Sequence, residues 1–277
     1  MQFIAPIGTE LVAPLARGSV FHAALVRAGD RVLVCKRLLP RARHEPAGRA
    51  AMAREGLALS RARHRSLPEL IRVGSDAHGP FVIESRVVGV SLAALIEGWR
   101  ARGSKVPARL VAHVCVEAVT ALAELHELAD DRGPIGLSHG DLGPAHVLLG
   151  PLGEARFVDL GAARFTGMDP ALDVGDRGTL PYAAPEVARG EEPPGQAADV
   201  YALAATLLHL ATGAPLIAEE SDAAALLAVG ERGLDPSLWM SIEALSVGAR
   251  HALGRALALD PRDRPPSARA LSIALAS

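Results

Sequence analysis

The sequence is poor in the residues that build disulfide frameworks and membrane spans. It contains two cysteines in 277 residues, and both Cys35 and Cys115 lie in apolar runs that match no disulfide pattern or metal-site spacing. We therefore expect two buried thiols in a reducing compartment. No stretch approaches the ~20 uninterrupted apolar residues that cross a bilayer, so the sequence predicts no membrane partner.

Charge of the two signs is nearly balanced. The formal net charge is −2, which argues against nucleic acid or an anionic membrane as a general partner. The N-terminus lacks the basic start and long apolar core of a signal peptide, and we expect a cytoplasmic protein. The abundance of alanine and arginine is typical of a GC-rich bacterial source.

The residues that are present predict short strands followed by helices. Strand-type apolar runs cover residues 32–36, 70–73 and 81–84, and a helical pattern covers residues 50–62. Later helices are predicted over residues 92–102, 107–128, 197–212, 222–229, 242–259 and from 267 onward. This order favours an α+β fold, with a small β-rich lobe, a larger helical lobe and a ligand cleft between them.

Four charged residues have the chemistry that phosphoryl transfer requires. Such transfer needs positive charge on the phosphates, carboxylates that hold a divalent metal ion, and a base near the acceptor hydroxyl. Lys36 ends a predicted strand, and Glu55 on the predicted helix is its natural ion-pair partner. Asp141 and Asp159 each lie on a loop beside a predicted short strand, where one can act as base and the other as metal ligand.

These residues belong to motifs that follow one another in a fixed order. The motifs are Leu33-Val34-Cys35-Lys36, Glu55, His139-Gly140-Asp141, Asp159-Leu160-Gly161, Gly178-Thr179-Leu180-Pro181-Tyr182-Ala183-Ala184-Pro185-Glu186, Asp199-Val200-Tyr201 and Arg264. They resemble V-A-x-K, the helix-C glutamate, H-R-D, D-F-G, G-T-x-x-Y-x-A-P-E, the buried aspartate motif of helix F, and the arginine that pairs with the Ala-Pro-Glu glutamate. In this order they resemble the eukaryotic-type Ser/Thr protein kinases over nearly the whole chain.

The resemblance implies a bilobed protein-kinase-like fold. Residues 1–277 would form one domain, with a β-rich N-terminal lobe over residues 1–85 that includes helix C, and a larger helical lobe over residues 86–277. It also implies ATP with Mg²⁺ or Mn²⁺ as cofactors, and a protein substrate or signalling partner.

The same resemblance implies a role for each candidate site residue. The expected catalytic residues are Asp141, Lys36 and Glu55. The expected metal ligands are Asp159 and His146. The expected nucleotide contacts are Lys36, Gly18, Val20, Val34, Glu84, Arg86 and Leu148. Ile83 is the expected gatekeeper at the back of the nucleotide pocket. The residues expected to stack as the regulatory spine are Leu59, Val73, His139 and Leu160.

The phosphate-covering loop departs from the family pattern G-x-G-x-x-G-x-V. The chain offers Leu15-Ala16-Arg17-Gly18-Ser19-Val20-Phe21, with a single glycine. Glycines in this loop let backbone N–H groups approach phosphate without a Cβ in the way. Two alternatives remain open: a weaker phosphate cradle with reduced ATP affinity, and a plain β-turn with no phosphate role.

His146 stands where the family has the asparagine that binds the second metal ion. An amide oxygen suits Mg²⁺, whereas imidazole prefers Mn²⁺, Zn²⁺ or other softer ions. His146 therefore ligates a metal ion other than Mg²⁺, hydrogen-bonds Asp141, or lies outside the site.

Gly143 and Gly140 replace two basic residues of the family pattern. Gly143 replaces the lysine that commonly contacts the γ-phosphate, which removes a charge-assisted contact. Gly140 replaces the arginine that grips a phosphate on the activation loop, so we do not expect activation by loop phosphorylation. Thr179 is instead expected to hydrogen-bond Asp141.

Two functions from different classes fit these residues. The four charged residues favour an enzyme, a divergent Ser/Thr protein kinase that transfers the γ-phosphate of ATP to a protein hydroxyl. The thinned glycine loop, Gly143 and His146 favour a pseudokinase, a nucleotide-binding or nucleotide-free signalling or scaffold module with weak or no transfer. Residues 178–186 argue against a third alternative, a small-molecule kinase.

Overall fold

A five-stranded antiparallel sheet forms the first third of the protein in this computed structural model, which describes residues 3–18, 20–175, 178–217 and 221–276. The strands are β1 (Glu10–Arg17), β2 (Phe21–Ala28), β3 (Arg31–Leu38), β4 (Leu70–Asp76) and β5 (Gly79–Ser85). Their order across the sheet is β1-β2-β3-β5-β4. The strand that carries Lys36 is therefore the central one.

The two faces of the sheet have different partners, because successive side chains of a strand point to opposite faces. Cys35 and Ile83 belong to a cluster on the outer face, which also includes Phe3 of the N-terminal segment. The inner face packs against helix α1 (Pro46–Arg61) through a second cluster that includes Val82. The inner face thus carries the residues that can reach helix α1.

Helix α1 begins about one turn before the predicted start. Pro46 occupies the first turn of the helix, where its fixed φ is already helical and its missing N–H is not needed. The helix ends where the N–H of Ala62 bonds to the oxygen of Ala58. Glu55 lies on its buried face and is fully inaccessible to solvent.

Helices are the main secondary structure of the remaining chain. They are α2 (Leu92–Arg100), α3 (Ala108–His126), α4 (Pro185–Ala188), α5 (Gln196–Thr212), α6 (Asp222–Arg232), α7 (Val247–Ala256) and α8 (Ala268–Ala276). Helix α5 is buried over most of its length and contributes to the main hydrophobic core together with α3. Gly213 ends α5 at φ 66°, a left-handed conformation that glycine adopts without the steric cost of a Cβ.

The predicted helix over residues 242–259 is wrong in its bounds. Helix α7 starts at Val247, because the side chain of Ser246 accepts a hydrogen bond from the N–H of Ala249. Serine is a strong N-cap, since its oxygen satisfies an N–H that the first turn leaves without a partner. Residues 242–245 form a turn, and a separate 3-10 helix, Pro236–Ser241, lies before that turn.

Short strands complete the structure and position the loops of the site. They are β6 (Val90–Ser91), β7 (Ala129–Asp130), β8 (Gly133–Pro134), β9 (Val147–Leu149) and β10 (Ala155–Phe157). Strand β9 pairs with both β10 and β6, and β9 and β10 are the short strands predicted beside Asp141 and Asp159. A sheet followed by helices confirms the predicted α+β fold.

Two further sequence predictions concern cysteine and membrane spans. Cys35 and Cys115 are both buried and unpaired, and burial raises the pKa of each thiol to about 12. They are therefore poor nucleophiles, because the thiolate is the reactive form. Within the described parts of the chain, no helix is both long and apolar enough to cross a bilayer.

Candidate active site

Lys36 has three carboxylates within 4 Å. It lies in β3 opposite Val82 of β5, and its side chain is buried. Its Nζ donates a hydrogen bond to Oε1 of Glu55 over 2.6 Å. The same Nζ lies 3.5 Å from Oε1 of Glu84 and 3.7 Å from Oδ1 of Asp159. The structure thus brings together the pair predicted between β3 and helix α1 and adds two acids to it.

Burial and the neighbouring charges act in opposite directions on this cluster. Burial lowers the pKa of Lys36, but Asp159, Glu55 and Glu84 together raise it above its ordinary value. Burial also raises the pKa of Asp159, but Lys36, the two histidines His146 and His139 and the N–H of Gly161 together outweigh it, and the pKa of Asp159 falls to about 2. At neutral pH an ammonium and an ionised carboxylate therefore stand side by side.

Helix α5 holds the loop that leads to Asp141. The carboxylate of Asp199 accepts hydrogen bonds from the backbone N–H groups of His139, at 2.7 Å, and Gly140, at 2.9 Å. Gly140 adopts φ 79°, and a Cβ at this position would collide with the carbonyl of Ala162. This backbone therefore requires the glycine that replaces the family's arginine.

Asp141 lines the cleft and has a partner for each oxygen. Its Oδ1 accepts a hydrogen bond from the backbone N–H of Thr179 over 2.8 Å. The predicted partner is thus the right residue, although its main chain makes the contact. Oδ2 lies 3.4 Å from Nδ1 of His146. These contacts hold the carboxylate of Asp141 at the surface of the cleft.

His146 lies between Asp141 and Asp159, so the alternative in which it lies outside the site is wrong. Its Nδ1 is 2.8 Å from the main-chain oxygen of Asp141, and because a carbonyl only accepts, Nδ1 carries the proton. Nε2 lies 3.8 Å from Oδ2 of Asp159. In the neutral ring Nε2 has a free lone pair, and imidazole with carboxylate is a donor set that suits Mn²⁺.

Two further observations bear on metal binding. Asp159 has φ 72°, the one positive φ at a non-glycine residue among those described. Such backbone strain clusters at functional sites. Within the described ranges, no group of three or more His, Cys, Asp or Glu side chains is arranged to hold a metal ion. Asp159 and His146 would therefore need additional ligands from outside these side chains.

The turn between β1 and β2 is tight. The N–H of Gly18 donates to the oxygen of Phe21 over 2.9 Å, and Ser19 of the predicted loop lies outside the described residues. The ring of Phe21 lies so near Gly161 that a Cβ there would touch it. This geometry favours the plain β-turn. Phe21 was not predicted as a site residue, although strand alternation places it on the face that carries Lys36.

The expected nucleotide contacts occupy several environments. Val34 and Leu148 are half-buried on β3 and β9, and Arg86 is exposed just after β5. Gly18 and Val20 line the cleft. The cavity lining does not include Val34, Leu148 or Arg86, so the structure brings only part of the expected nucleotide contacts to the cleft.

The expected gatekeeper is wrong. Ile83 packs with Cys35 on the outer face of the sheet. Glu84 pairs with Val34, and its buried carboxylate approaches Lys36 on the inner face. Because side chains alternate along a strand, Glu84 and not Ile83 stands at the back of the cleft.

One member of the expected spine is also wrong. Leu59, His139 and Leu160 are buried, but Val73 is 56% exposed because it lies on the edge strand β4. Leu70 at the start of β4 instead contacts both the main core and the cluster beneath the sheet. Leu70 therefore links the two cores in place of Val73.

The predicted pair between Arg264 and Glu186 is formed and buried. Nη1 and Nη2 of Arg264 donate to the two carboxylate oxygens of Glu186 at 2.7 and 2.6 Å. The guanidinium also lies 4.9 Å from the centre of the Tyr201 ring on α5. Bidentate pairs of this kind are strong and directional. The end of the 178–186 segment is therefore fastened to the helical core.

Arg54, which was not predicted as a site residue, binds the segment 161–174 that follows Asp159. Its Nε donates to the oxygen of Gly161 over 2.6 Å, and its Nη1 donates to the oxygens of Val174, at 2.8 Å, and Leu172. A guanidinium has five N–H groups and can serve several carbonyls at once. The helix that carries Glu55 thus also holds both ends of the segment 161–174.

One cavity of about 480 Å³ is lined by the charged groups of Lys36, Asp141 and Asp159. Its lining includes Gly18, Val20, Phe21, Lys36, Asp141, His146, Asp159 and Thr179. Small-molecule sites typically have volumes of roughly 300–1,000 Å³. The cavity therefore fits a phosphate chain beside an ammonium and a divalent ion beside a carboxylate.

Comparisons with known proteins agree with this arrangement. The family model described as Protein kinase domain matches residues 16–274. The chain is 28% identical over 278 residues to the tyrosine-protein kinase MasK of Myxococcus xanthus (strain DK1622). This alignment covers 96% of this chain and 42% of MasK. It is 32% identical over 201 residues to the serine/threonine-protein kinase PknD of Mycobacterium tuberculosis (strain ATCC 25618 / H37Rv). This alignment covers 72% of this chain and 28% of PknD.

A third relative is the probable serine/threonine-protein kinase SCO3848 of Streptomyces coelicolor (strain ATCC BAA-471 / A3(2) / M145), 27% identical over 241 residues. That alignment covers 83% of this chain and 34% of the relative. The chain thus spans less than half the length of each of these three proteins. Since the family model matches nearly the whole chain, this chain belongs to the protein kinase domain family.

Proposed function

We propose that this chain is a Ser/Thr protein kinase that transfers the γ-phosphate of ATP to a protein hydroxyl. The observation that carries the proposal is the Lys36–Glu55 pair beside Asp159, in a cleft that Asp141 also lines. Bound ATP and a divalent ion would supply the phosphoryl group and the charge that stabilises its transfer. Residues 1–277 would then form one domain whose two lobes meet after residue 85.

Lys36 would bind the phosphates. Its ammonium stays charged because the three carboxylates raise its pKa, and its hydrogen bond to Glu55 fixes its direction. A cation held in a buried site interacts more strongly with phosphate than one in water. Glu55 would therefore act through Lys36, as its positioning partner.

Asp141 would orient the acceptor hydroxyl and accept its proton. One carboxylate oxygen is held by the N–H of Thr179, which limits rotation of the side chain. The proton would pass from the hydroxyl oxygen to the carboxylate. A base that is already oriented reduces the entropy cost of reaching the reactive geometry.

Asp159 and His146 would hold the divalent ion. The low pKa of Asp159, about 2, keeps the carboxylate ionised at all physiological pH values. Nε2 of His146 would add a nitrogen ligand, which favours Mn²⁺ over Mg²⁺. Val20, Val34 and Leu148 would enclose the base of the nucleotide, while Gly18, Glu84 and Arg86 would lie around it.

A protein substrate is supported by the segment 178–186. In protein kinases this segment shapes the peptide pocket, and here the Glu186–Arg264 pair anchors it. The names of the relatives include both tyrosine and serine/threonine kinases. The cytoplasmic location stays a prediction from the sequence.

One observation favours the pseudokinase alternative. The ring of Phe21 reaches Gly161 across the cleft, and the N–H of Gly18 already bonds to the oxygen of Phe21 and not to a phosphate. A chain that binds nucleotide weakly and transfers nothing would be consistent with both features.

The proposal is tested by transfer of labelled γ-phosphate to peptide libraries that contain serine, threonine or tyrosine as the single acceptor. We expect labelled serine and threonine, and a signal that disappears in Asp141→Asn. Labelling of tyrosine alone would correct the substrate class. No labelling with either Mg²⁺ or Mn²⁺ would favour the pseudokinase.

A further inference from the structure

Two buried carboxylate oxygens beside Lys36 have no hydrogen-bond partner. Glu55 uses Oε1 for Lys36, and Oε1 of Glu84 lies 3.5 Å from the same ammonium. Oε2 of Glu55 and Oε2 of Glu84 are both buried without a partner. Unpaired buried polar atoms are rare in folded proteins, and each requires a physical reason.

The two orphaned oxygens belong to carboxyl groups that adjoin each other. Their other oxygens lie 2.6 Å and 3.5 Å from the same Nζ of Lys36, so the two carboxyl groups stand beside one ammonium. Two ionised carboxylates cannot hydrogen-bond to each other, because both are acceptors only. One proton between them turns an oxygen into a donor and allows such a bond.

The charges around Lys36 favour the same proton. Glu55 is fully buried and Glu84 is 3% exposed, and the charged groups that face them are Lys36 from β3 and Asp159 from the loop after β10. Three ionised carboxylates would surround one ammonium with an excess of two negative charges. Burial disfavours such an excess and raises the pKa of both Glu55 and Glu84.

We propose that Glu55 and Glu84 share one proton at neutral pH, and that Glu84 is thereby a positioning residue for Lys36. The protonated pair carries one negative charge, which balances the ammonium and leaves Asp159 ionised for a metal ion. Loss of the proton would place a second full charge at the back of the cleft and draw the ammonium away from the phosphates. This consequence for Lys36 rests on the proposed kinase function, whereas the shared proton does not.

The shared proton is tested by ¹³C NMR of the full chain labelled at the glutamate side-chain carboxyl carbon, whose chemical shift reports protonation. In the wild type at pH 7 we expect one glutamate signal with the shift of a protonated carboxyl. It should vanish in both Glu84→Gln and Glu55→Gln. The control Glu69→Gln, which changes a side chain that is 73% exposed, should leave it in place.

A wild-type spectrum in which every glutamate carboxyl is ionised at pH 7 overturns the proposal. This outcome requires no variant to fold. It also requires no turnover. Failure to detect phosphate transfer would count against the proposed kinase function alone, and the NMR spectrum would still show whether the proton is present.

The positioning role is tested by separating kcat from KM. Glu84→Gln keeps a neutral group that can donate to Glu55, so we expect a smaller loss of kcat than in a variant that cannot donate. Glu84→Leu fills similar space but cannot donate, and we expect kcat to fall by about tenfold with a smaller change in KM. Equal losses in the two variants would show that the neutral acid is not what Lys36 requires.

Discussion

Arg54 and Gly161 link helix α1 to the turn after Asp159, through a 2.6 Å hydrogen bond from Nε of Arg54 to the oxygen of Gly161. Arg54 directly precedes Glu55, so one turn of helix α1 carries both the partner of Lys36 and the donor that binds the following segment. In the family pattern an arginine at the position of Gly140 would grip a phosphate on this segment. Here Arg54 orders the segment without a phosphate.

Replacing Arg54 should loosen the segment 161–174. A hydrogen bond from a charged donor is worth about 1.5–3 kcal/mol, so Arg54→Gln should reduce the ordered population and the transfer rate by about tenfold or more. Hydrogen exchange of backbone amides in residues 161–175 measures the loosening. Arg49→Gln, on the same helix at an exposed site where the guanidinium bonds to the nearby oxygen of Arg43, is the matched control. Unchanged protection in Arg54→Gln would count against the tether.

The buried pair of Glu186 and Arg264 should dominate the stability of the substrate segment. Removing one partner leaves an unpaired buried charge, which costs about 3–5 kcal/mol, so Glu186→Gln should lower the free energy of unfolding in urea by that amount. Arg262→Gln, at an exposed pair with Asp260, serves as the control and should leave the unfolding midpoint nearly unchanged. Equal effects of the two substitutions would contradict this account.

Stability should depend on pH differently in the wild type and in Glu84→Gln. The unfolded Glu84 carboxyl loses its proton near pH 4.5, whereas burial raises the pKa in the folded state. The wild type therefore loses stability as the pH rises above this value, until the folded carboxyl ionises. Glutamine has no proton to lose, so the stability of the variant relative to wild type should increase by up to about 1.4 kcal/mol per pH unit.

Urea unfolding between pH 4 and pH 9 measures this difference. Glu69→Gln should show no such pH trend, because its side chain is exposed. Parallel stability curves for the wild type and Glu84→Gln would mean that the folded carboxyl ionises as it does in the unfolded chain.

The preference for a metal ion should change when His146 is replaced. Asparagine offers an amide oxygen, which suits Mg²⁺ better than imidazole does. We expect His146→Asn to lower the ratio of Mn²⁺-supported to Mg²⁺-supported transfer by roughly tenfold, which corresponds to about 1.4 kcal/mol. His113→Asn changes a histidine on α3 that bonds to Gly153 and should keep the wild-type ratio. An unaltered ratio in His146→Asn would remove this residue from the metal site.

The sequence was sufficient for the pairs that depend on opposite charges in ordered motifs. Lys36 with Glu55 and Glu186 with Arg264 could be predicted because each motif places a charge that has one evident partner. The α+β class could be predicted because apolar runs with strand character precede helical patterns. These features depend on residue type and order and not on the detailed path of the backbone.

The sequence was not sufficient for features that depend on which face a side chain occupies. The apolar run at residues 81–83 has no alternation, so it does not show whether Ile83 or Glu84 faces the cleft, and a shift of one residue reverses every face. Arg54 was missed because its partners are main-chain oxygens more than 100 residues away in sequence. Phe21 was missed because the length of its turn follows from backbone pairing between β1 and β2.

The most direct test of the account is the initial rate of γ-phosphate transfer by the wild type, Asp141→Asn, Asp159→Asn and Asp169→Asn, measured side by side with Mn²⁺. Asp169 caps an exposed 3-10 turn within the segment 161–174, and asparagine can keep this cap. We predict measurable transfer by the wild type and by Asp169→Asn, and its loss in Asp141→Asn and Asp159→Asn. Equal rates in all four proteins, or no transfer by the wild type, would contradict the assignment of the two aspartates to phosphoryl transfer.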